Sequence, residues 1–423
     1  MELKEPSAKY LEKVGYKQTE LGEIPKDWEI STIGSEFSIQ LGKMLDEEKN
    51  VGTLKPFLGN RAVQWGRVDL SDMNEIRLTP SDLLRFRLRD GDLLVCEGGE
   101  IGRAAIWRQP VAECYYQKAL HRLRPIRGYN VELMLNVLRL FSSTGFLLNF
   151  VTQTSIAHLP KETFQTIPIP SPPTKVEQDA IAEALSSAGA LIESLEQLLA
   201  KKRHLKQGAM QELLTGTRRI PGFNGQWRLN QLDELGRWTG GMTPSMQNQV
   251  YWRSGTVPWV SSGDVKTATL ITTAFSISEE AIKSRTTTLL PAKSILLVTR
   301  SGILRKHLPV AMNLIPMAIN QDIKALIPND GLLPEYLLHS FTFHGSRILA
   351  RCLKSGTTVE SIEFRWLKEF EISIPPVKEQ SAIAAILSDM DTEITTLETK
   401  LTKVRQLKQG MMQELLTGRI RLV

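Results

Sequence analysis

The sequence is poor in cysteine: only Cys96, Cys114 and Cys352 occur in 423 residues. Thiols this few and this scattered exclude a disulfide-built scaffold and a cysteine-rich zinc site. No stretch approaches the about eighteen consecutive apolar residues of a membrane span. The first residues, Met1 to Pro6, lack the apolar run of a signal peptide. We therefore expect a soluble protein of the reducing cytoplasm, with no membrane partner.

Catalytic signatures are missing as well. The sequence contains no GxxxxGK[ST] phosphate loop and no HExxH zinc motif. His339 and His344 are five residues apart, so they do not share a helix face as zinc ligands would. The proline pairs at 172–173 and 375–376 lack the flanking acidic or amide residue and aromatic residue of an adenine methyltransferase. We predict no catalytic residue and no metal site, so that the chain alone is not an enzyme.

The composition that remains is that of an ordinary globular protein. Hydrophobic residues make up 42% and charged residues 23%, which excludes wholesale disorder. Lys and Arg number 52 against 46 Asp and Glu, a formal net charge of +6. This basic balance permits nucleic-acid binding without demonstrating it.

The chain repeats itself at an offset of 202 residues, as the pair Gly216 and Gly418 shows. The segment from Glu177 reads EQDAIAEALSSAGALIESLEQLLAKKRHLKQGAMQELLTG, and the segment from Glu379 reads EQSAIAAILSDMDTEITTLETKLTKVRQLKQGMMQELLTG. The stretches before these two segments also resemble each other weakly; for example, Trp28 and Trp227 occupy similar positions near the start of each stretch. An internal repeat decides the architecture, so we predict two units, each a variable domain followed by a near-constant segment. The predicted boundaries are 1–20 (N-terminal segment), 21–174 (first domain), 175–216 (central helix), 217–374 (second domain) and 375–423 (C-terminal helix).

The two near-constant segments are predicted to be long helices. Apolar residues alternate at spacings of four and three, which is a heptad seam. Each helix would run about 38 residues, or about 57 Å, with Gly216 and Gly418 as C-terminal caps. An ordinary surface helix rarely keeps such a seam, so we predict that the two helices pair as an antiparallel coiled coil that acts as a rigid spacer. The seam residues are Ile181, Leu185, Ile192, Leu195, Leu199, Ile383, Leu387, Met390, Ile394, Leu397, Leu401 and Val404.

The variable domains are predicted to mix strands and helices. Residues 92–96 and 295–299 have the pattern of short buried strands, and residues 131–141 and 334–343 have helical spacing. The fold class is therefore α+β: two mixed α/β domains separated by two long helices, with a pseudo-twofold internal repeat.

Each domain carries a glycine loop after its predicted buried strand, at residues 97–103 and 299–305. Glycine lets a backbone approach a phosphate closely, and Arg103 and Arg305 add charge. A simple strand-end turn explains either loop alone equally well. Because glycine and arginine recur at the same point of the repeat, we favour a binding role.

This arrangement closely resembles the DNA specificity subunit of Type I restriction–modification systems, over nearly the whole chain. The most specific features are the two LKQG-x-MQELLTG helix ends, Gly-Gly-Met-Thr-Pro-Ser at 240–245 and Val-Pro-Trp-Val-Ser-Ser-Gly-Asp-Val at 257–265. The first unit departs from the pattern at 41–45 and 60–66, which indicates a different variant of the same domain type. The two domains are then expected to read different DNA.

The resemblance implies that each variable domain is a target recognition domain for one half of a bipartite, asymmetric DNA site. The helices would set the spacing between the halves and dock two methyltransferase subunits. Those subunits would bind S-adenosylmethionine and methylate adenine, and restriction subunits would use ATP and Mg to cleave unmethylated DNA. No cofactor is expected on this chain itself.

Residues in and near the loops are candidates for contacts with double-stranded DNA. Arg pairs with guanine, and Gln or Asn pairs with adenine, through two hydrogen bonds in the major groove, although solvated surface charge remains an alternative for each. We hypothesise in particular that Arg103 and Arg305 contact DNA. The candidates are Lys43, Arg61, Gln64, Arg67, Arg103, Gln117, Lys118, His121, Lys266, Arg300, Arg305, Lys306, Asn320 and Gln321.

Three other functions remain open from the sequence. The chain could read DNA for a related Type IIB or BREX-like modification system, which would share the architecture and differ in the partner. It could be a stand-alone bivalent DNA-binding regulator or scaffold that recruits no enzyme. An autonomous nuclease or methyltransferase is disfavoured by the missing motifs.

Overall fold

The computed structural model describes residues 15–46, 50–152, 158–354 and 359–422. The chain forms two compact units: unit 1 is Met1–Glu196 with Thr399–Val423, and unit 2 is Gln197–Glu398. The sequence-based division kept both long helices apart from the domains, whereas here each unit includes part of each helix. Most of the predicted N-terminal segment, 1–14 of 1–20, lies outside the described residues.

Two long helices carry the repeated segments, as predicted. The central helix is Lys175–Thr215, with 41 residues, and the C-terminal helix is Val377–Leu415, with 39. Gly216 and Gly418 follow them with φ of 71° and 69°. This left-handed conformation is available to glycine at little cost and ends a helix, so both predicted caps are confirmed.

The predicted heptad seam is the buried side of both helices. Eight of its positions are buried: Ile181, Leu185, Leu195, Leu199, Ile383, Leu387, Ile394 and Leu401. The other four are half-buried: Ile192, Met390, Leu397 and Val404. The alternation of four and three residues therefore identified the packed face.

In each unit, the part of one helix near its start packs with the part of the other near its end, so the helices run antiparallel there. In unit 1 the residues that share a core are Ile181, Leu185, Met412 and Leu415. In unit 2 they are Met210, Leu214, Ile383 and Leu387.

Ion pairs flank this seam. In unit 2, Lys202 pairs with Glu393 at 2.5 Å, and Lys206, which interrupts the apolar seam, pairs with Asp391. In unit 1, Lys408 occupies the repeat position of Lys206 and is buried.

Unit 1 is built on two small sheets whose cores meet at the buried strand Leu93–Cys96. A four-stranded antiparallel sheet has the order Ala104–Ile106, Leu93–Cys96, Leu120–Pro125, Phe37–Leu41. A three-stranded sheet has the order Tyr115–Tyr116, Thr53–Leu58, Met73–Leu78. Its described residues also form three two-stranded pairs: Tyr16–Thr19 with Gly22–Pro25, Glu29–Thr32 with Pro168–Ser171, and Val63–Gln64 with Arg67–Val68. Its α-helices besides the long ones are Ile33–Glu36, Pro80–Arg85, Val131–Ser143 and Lys161–Phe164.

Unit 2 repeats this plan. A five-stranded sheet has the order Gly236–Gly240, Ile323–Pro328, Ile295–Val298, Val310–Asn313, Thr269–Leu270. A three-stranded sheet has the order Phe275–Ile277, Val257–Val260, Ala318–Ile319, and Arg228–Gln231 pairs with Glu371–Ile374. Its α-helices besides the long ones are Glu279–Lys283, Pro334–Cys352 and Phe364–Lys368.

The predicted elements of the variable domains are confirmed. The strands predicted at 92–96 and 295–299 are Leu93–Cys96 and Ile295–Val298, and all of their residues are buried. The helices predicted at 131–141 and 334–343 are Val131–Ser143 and Pro334–Cys352, longer than expected at their C-terminal ends. Among the described helices, none combines the length and apolar character that crossing a membrane requires.

Candidate nucleic-acid interface

Three segments of unit 1 converge where two parallel strands end. Tyr115–Tyr116 lies parallel to the end of Thr53–Leu58, so the residues after both strands emerge side by side. Gln117 N donates to Leu58 O at 3.1 Å. Lys43 N donates to Tyr116 O at 2.9 Å, and Lys118 N donates to Lys43 O at 2.8 Å. Parallel pairing thus brings together three of the residues that sequence analysis proposed, Lys43, Gln117 and Lys118.

Gly42 makes this convergence possible. A Cβ atom at this position would lie 2.3 Å from the carbonyl oxygens of both Tyr116 and Gln117. These are backbone atoms that cannot turn away, so only glycine allows the two segments to touch.

Polar side chains line an open cleft of about 770 Å³ beside this point. Arg61 and Gln117, both proposed from sequence, are among its residues. Asn74 and Arg77 enter it from the strand Met73–Leu78, which pairs with Thr53–Leu58. Sequence reasoning missed these two, although the strand places polar Asn74, Glu75 and Arg77 among apolar residues, which is a signal of its solvent-facing side. We call this surface the polar cleft.

Unit 2 contains the same arrangement with other side chains. Val257–Val260 lies parallel to Ala318–Ile319, and Asn320 N donates to Val260 O at 2.9 Å. A Cβ atom on Gly241 would lie 1.9 Å from Ile319 O, so this glycine has the role of Gly42. Beyond it, Thr243 Oγ1 donates to Gln321 Oε1. Two repeats therefore build one scaffold around different polar groups.

A comparison with protein families accounts for this repeated scaffold. The model described as "Type I restriction modification DNA specificity domain" matches residues 25–201 and again 224–406. These matches cover most of the chain. The chain belongs to the Type I restriction–modification DNA specificity family.

Several curated specificity subunits of this family are similar to the chain. The EcoR124I/EcoR124II specificity subunit of Escherichia coli is 38% identical over 184 residues, 44% of this chain and 45% of that protein. The putative MjaX specificity subunit of Methanocaldococcus jannaschii is 22% identical over 433 residues, 96% of each chain. The first of these matches thus spans less than half of the relative's length.

Solved structures of this family share the fold. The S subunit of a Type I restriction–modification system from M. genitalium aligns with a TM-score of 0.60 at 15% identity, over 92% of this chain and 96% of that one. A chain from a structural study of the assembly of the type I R-M system aligns with a TM-score of 0.55 at 17% identity, over 94% and 99%.

For two of the proposed DNA-contact residues, His121 and Asn320, the prediction is wrong, because their side chains are buried. His121 is fully buried: its Nε2 lies 2.9 Å from Leu159 O and its ring stacks on Phe164. Burial lowers the pKa of His121 to about 4. Asn320 is also buried, and its Oδ1 accepts from Asp322 N at 3.1 Å. Both side chains shape the loop from inside.

Arg103 and Arg305 occupy equivalent repeat positions but differ in their surroundings. The Arg103 side chain is only 15% exposed, and its Nη2 donates to Asn60 O at 3.1 Å, which ties the glycine loop to the polar cleft. The Arg305 side chain is 69% exposed and pairs with Glu360. The geometry therefore favours a positioning role for Arg103 and a surface role for Arg305.

The remaining proposed residues lie at or near the surface. Lys43, Gln64 and Gln117 are half-buried, and Lys43 pairs with Asp82 at 2.8 Å. The exposed ones are Arg61, Arg67, Lys118, Lys266, Arg300, Lys306 and Gln321. Their contacts with DNA stay predictions.

Proposed function

We propose that the chain reads DNA for a Type I restriction–modification complex, unit 1 and unit 2 each recognising one half of a bipartite, asymmetric site. The observation that carries this proposal is the repeated junction of parallel strands, built around Gly42 in unit 1 and Gly241 in unit 2. One scaffold presents Arg61 and Gln117 in unit 1 and Thr243 and Gln321 in unit 2. Different donors and acceptors on one scaffold suit two different base sequences.

The chain in this proposal supplies recognition and no chemistry. Two methyltransferase subunits would bind S-adenosylmethionine, restriction subunits would bind ATP and Mg, and this chain would bind neither cofactor. The paired helices would set the spacing between half-sites and dock the methyltransferases in the cytoplasm. Exposed apolar residues one heptad apart on the central helix, Leu198 and Leu205, support such docking.

Mapping of methylated adenines tests the proposal. The chain is co-expressed with its methyltransferase subunit, and the modified positions of the host DNA are determined with and without it. We expect a two-part motif with a fixed gap that disappears when this chain is omitted. Co-purification with a fused nuclease–methyltransferase would instead indicate a Type IIB-like system. If no complex forms and no methylation depends on the chain, a stand-alone bivalent scaffold is the better account.

Variants at the strand junction of each unit sharpen the test. Arg61→Ala with Gln117→Ala removes donors from unit 1, so it is expected to relax or lose one half of the motif and leave the gap and other half unchanged. Gln321→Ala is the matched change in unit 2 and should affect only the other half. A good two-bond base contact discriminates by about 1–3 kcal/mol, so methylation of the cognate site should fall roughly ten- to a hundredfold.

A further inference from the structure

Three exposed arginines of unit 1 lie where the helix Pro80–Arg85 ends: Arg85 is its last residue, and Arg87 and Arg89 follow it. Arg85, Arg87 and Arg89 are exposed and alternate with Phe86 and Leu88, which are buried. Alternation with a period of two is that of an extended chain. We call residues 85–89 the arginine segment.

The backbone of the arginine segment is fixed to the strand Leu120–Pro125. Arg122 Nη1 donates to Arg85 O at 3.2 Å, and Arg124 Nη2 donates to Arg87 O at 3.0 Å. Arg124 also pairs with the buried carboxylate of Asp92. These two arginines support the segment from below, so the side chains of the other three point away from the sheet.

The charges of the three outer arginines are not neutralised. In the described part of the chain no ion pair joins Arg85, Arg87 or Arg89 to a carboxylate. The Arg87 guanidinium donates from Nη2 to the backbone oxygen of Ala112 at 3.5 Å. Three nearby carboxylates are already paired with other cations: Asp82 with Lys43, Asp92 with Arg124 and Glu113 with Lys55. Asp90 is the exposed acidic residue next to the arginine segment.

The fold does not require these arginines, as unit 2 shows. Leu88 N donates to Cys114 O at 2.9 Å, and at the repeat position Leu290 N donates to Met317 O at 2.8 Å. The backbone at Leu88 and at Leu290 is therefore held in the same way in both units. Two of the residues before it differ in burial, since Thr287 is buried where Arg85 is exposed and Thr288 is exposed where Phe86 is buried. The residues of unit 2 that stand in place of the three arginines are Thr287, Leu289 and Pro291.

The arginine segment begins next to the polar cleft. Lys43, from the loop at the edge of the cleft, pairs with Asp82 in the first turn of the helix Pro80–Arg85. Arg85 follows Asp82 by three residues, less than one helical turn.

We propose that Arg85, Arg87 and Arg89 bind phosphates of duplex DNA outside the half-site read by unit 1. This inference rests on the proposed function. Alternate residues of an extended chain are about 6.6 Å apart. Arg85 is the last residue of the helix Pro80–Arg85, so its step to Arg87 is shorter and the three guanidinium groups cover at most about 13 Å. That length of duplex axis carries about four phosphates on one strand. The contact is independent of sequence, and the equivalent positions of unit 2, Thr287, Leu289 and Pro291, offer no counterpart to it.

The salt dependence of DNA binding tests the proposal. The full chain with its methyltransferase subunits is titrated, by fluorescence anisotropy at several KCl concentrations, against a duplex with the mapped site and one of random sequence. The slope of log K against log salt is negative, and each lost phosphate contact makes it less steep by about 0.9. The triple variant Arg85→Ala, Arg87→Ala, Arg89→Ala should therefore lose about 2.7 from the slope on both duplexes, with an unchanged affinity ratio between them.

A control of equal charge comes from three other arginines of the same unit, each of which is paired with a carboxylate. Arg108→Ala, Arg127→Ala and Arg419→Ala also remove three positive charges, but these residues pair with Glu132, Glu36 and Glu414. For this control, the slope of log K against log salt should differ from the wild-type slope by less than about one, the equivalent of a single phosphate contact. The triple change to lysine in the arginine segment should keep most of the slope, since phosphate contacts of this kind depend on charge.

Three results would overturn the inference. One is an unchanged slope in the alanine triple variant when wild-type complex binds both duplexes. Another is a loss confined to the specific duplex, which would mean base reading. A third is normal DNA binding with lost assembly of the methyltransferase, which would make the segment a protein interface. If wild-type complex binds neither duplex, the proposed function itself fails. Unchanged unfolding midpoints are expected, because the three side chains are exposed.

Discussion

Arg421 donates to the buried carboxylate of Glu177, 244 residues earlier in the chain, with Nη2 2.8 Å from Oε2. The repeat places the same pair in unit 2, where Arg219 Nη2 lies 2.6 Å from Glu379 Oε2. Each arginine also lies over a tryptophan ring, Trp28 in unit 1 and Trp227 in unit 2. The residues that follow each long helix thus fold back onto the first turn of the other one.

Removal of either arginine is expected to destabilise its own unit. Arg421→Ala leaves the Glu177 carboxylate buried and without its cation, which costs about 3–5 kcal/mol. Arg219→Ala removes the cation from Glu379, which keeps the hydrogen bond from Trp227 Nε1 at 3.1 Å, so its loss should be somewhat smaller. Urea unfolding followed by tryptophan fluorescence measures the loss. Arg419→Ala is the matched control, since its side chain is 59% exposed, and a change at such a surface position is within about 0.5 kcal/mol. If both Arg421→Ala and Arg219→Ala unfold at the wild-type urea concentration, these ion pairs do not stabilise their respective units.

Gly42→Ala and Gly241→Ala are expected to disturb the reading surfaces one unit at a time. The new Cβ would meet backbone carbonyl oxygens at 2.3 Å and 1.9 Å respectively, so the loop after the parallel strand must move. Such overpacking costs about 1–3 kcal/mol. Methylation mapping should show one half of the motif weakened by Gly42→Ala and the other by Gly241→Ala.

A glycine with free space provides the control for this pair. A Cβ on Gly263 would have Ser261 Oγ as its nearest neighbour, at 3.7 Å. Gly263→Ala should therefore leave the stability of unit 2 unchanged. Equal loss of both halves in Gly42→Ala would contradict the assignment of one half to each unit.

Arg103 and Arg305 are expected to respond differently to substitution. Arg103→Ala removes a largely buried hydrogen bond from a charged donor to Asn60 O, at a cost of about 1.5–3 kcal/mol. Arg305→Ala breaks an exposed ion pair with Glu360 and should leave stability nearly unchanged. The hypothesis that Arg305 leaves Glu360 to contact a phosphate predicts, in addition, that this change reduces the magnitude of the salt slope of DNA binding by about 0.9. Unfolding and binding measured on the same samples separate the two roles. If alanine at both positions changes neither affinity nor slope, the hypothesis that these arginines serve DNA binding is lost.

The long helices and the two-unit plan were predictable because their signals are local or repeated. The apolar spacing of four and three residues in the two repeated segments, and the glycine after each of them, can be recognised without knowing any contact between distant residues. The cleft was only partly predictable, because Asn74 and Arg77 reach it through pairing of the strand Met73–Leu78. His121 lies three residues after Lys118, so the sequence alone suggests that both belong to one surface loop. In the structure His121 lies in the strand Leu120–Pro125, and its side chain points into the core. The sequence of one chain does not show which residues this strand packs against.

Stability is expected to fall as the pH drops from about 6.5 to about 4. Burial lowers the pKa of His121, His339 and His344 to about 4 each, from 6.5. Between these values the unfolded chain binds protons that the folded chain does not, so protonation favours unfolding. For His121 the reason is visible: Leu159 O can only accept, so Nε2 carries the proton, and Nδ1 is buried without a partner.

A titration of the unfolding free energy between pH 7.5 and 4.5 checks this expectation. Each pKa unit corresponds to about 1.4 kcal/mol, so the three histidines should give a steep loss below pH 6.5. His121→Gln cannot titrate and should make the dependence shallower, even if it lowers stability at pH 7.5. The matched control is His307→Gln, which makes the same substitution at an exposed position. A flat profile from pH 6.5 to 4.5 would mean that the three rings become protonated without unfolding, and hence that their burial opposes charge much less than the packing around them indicates.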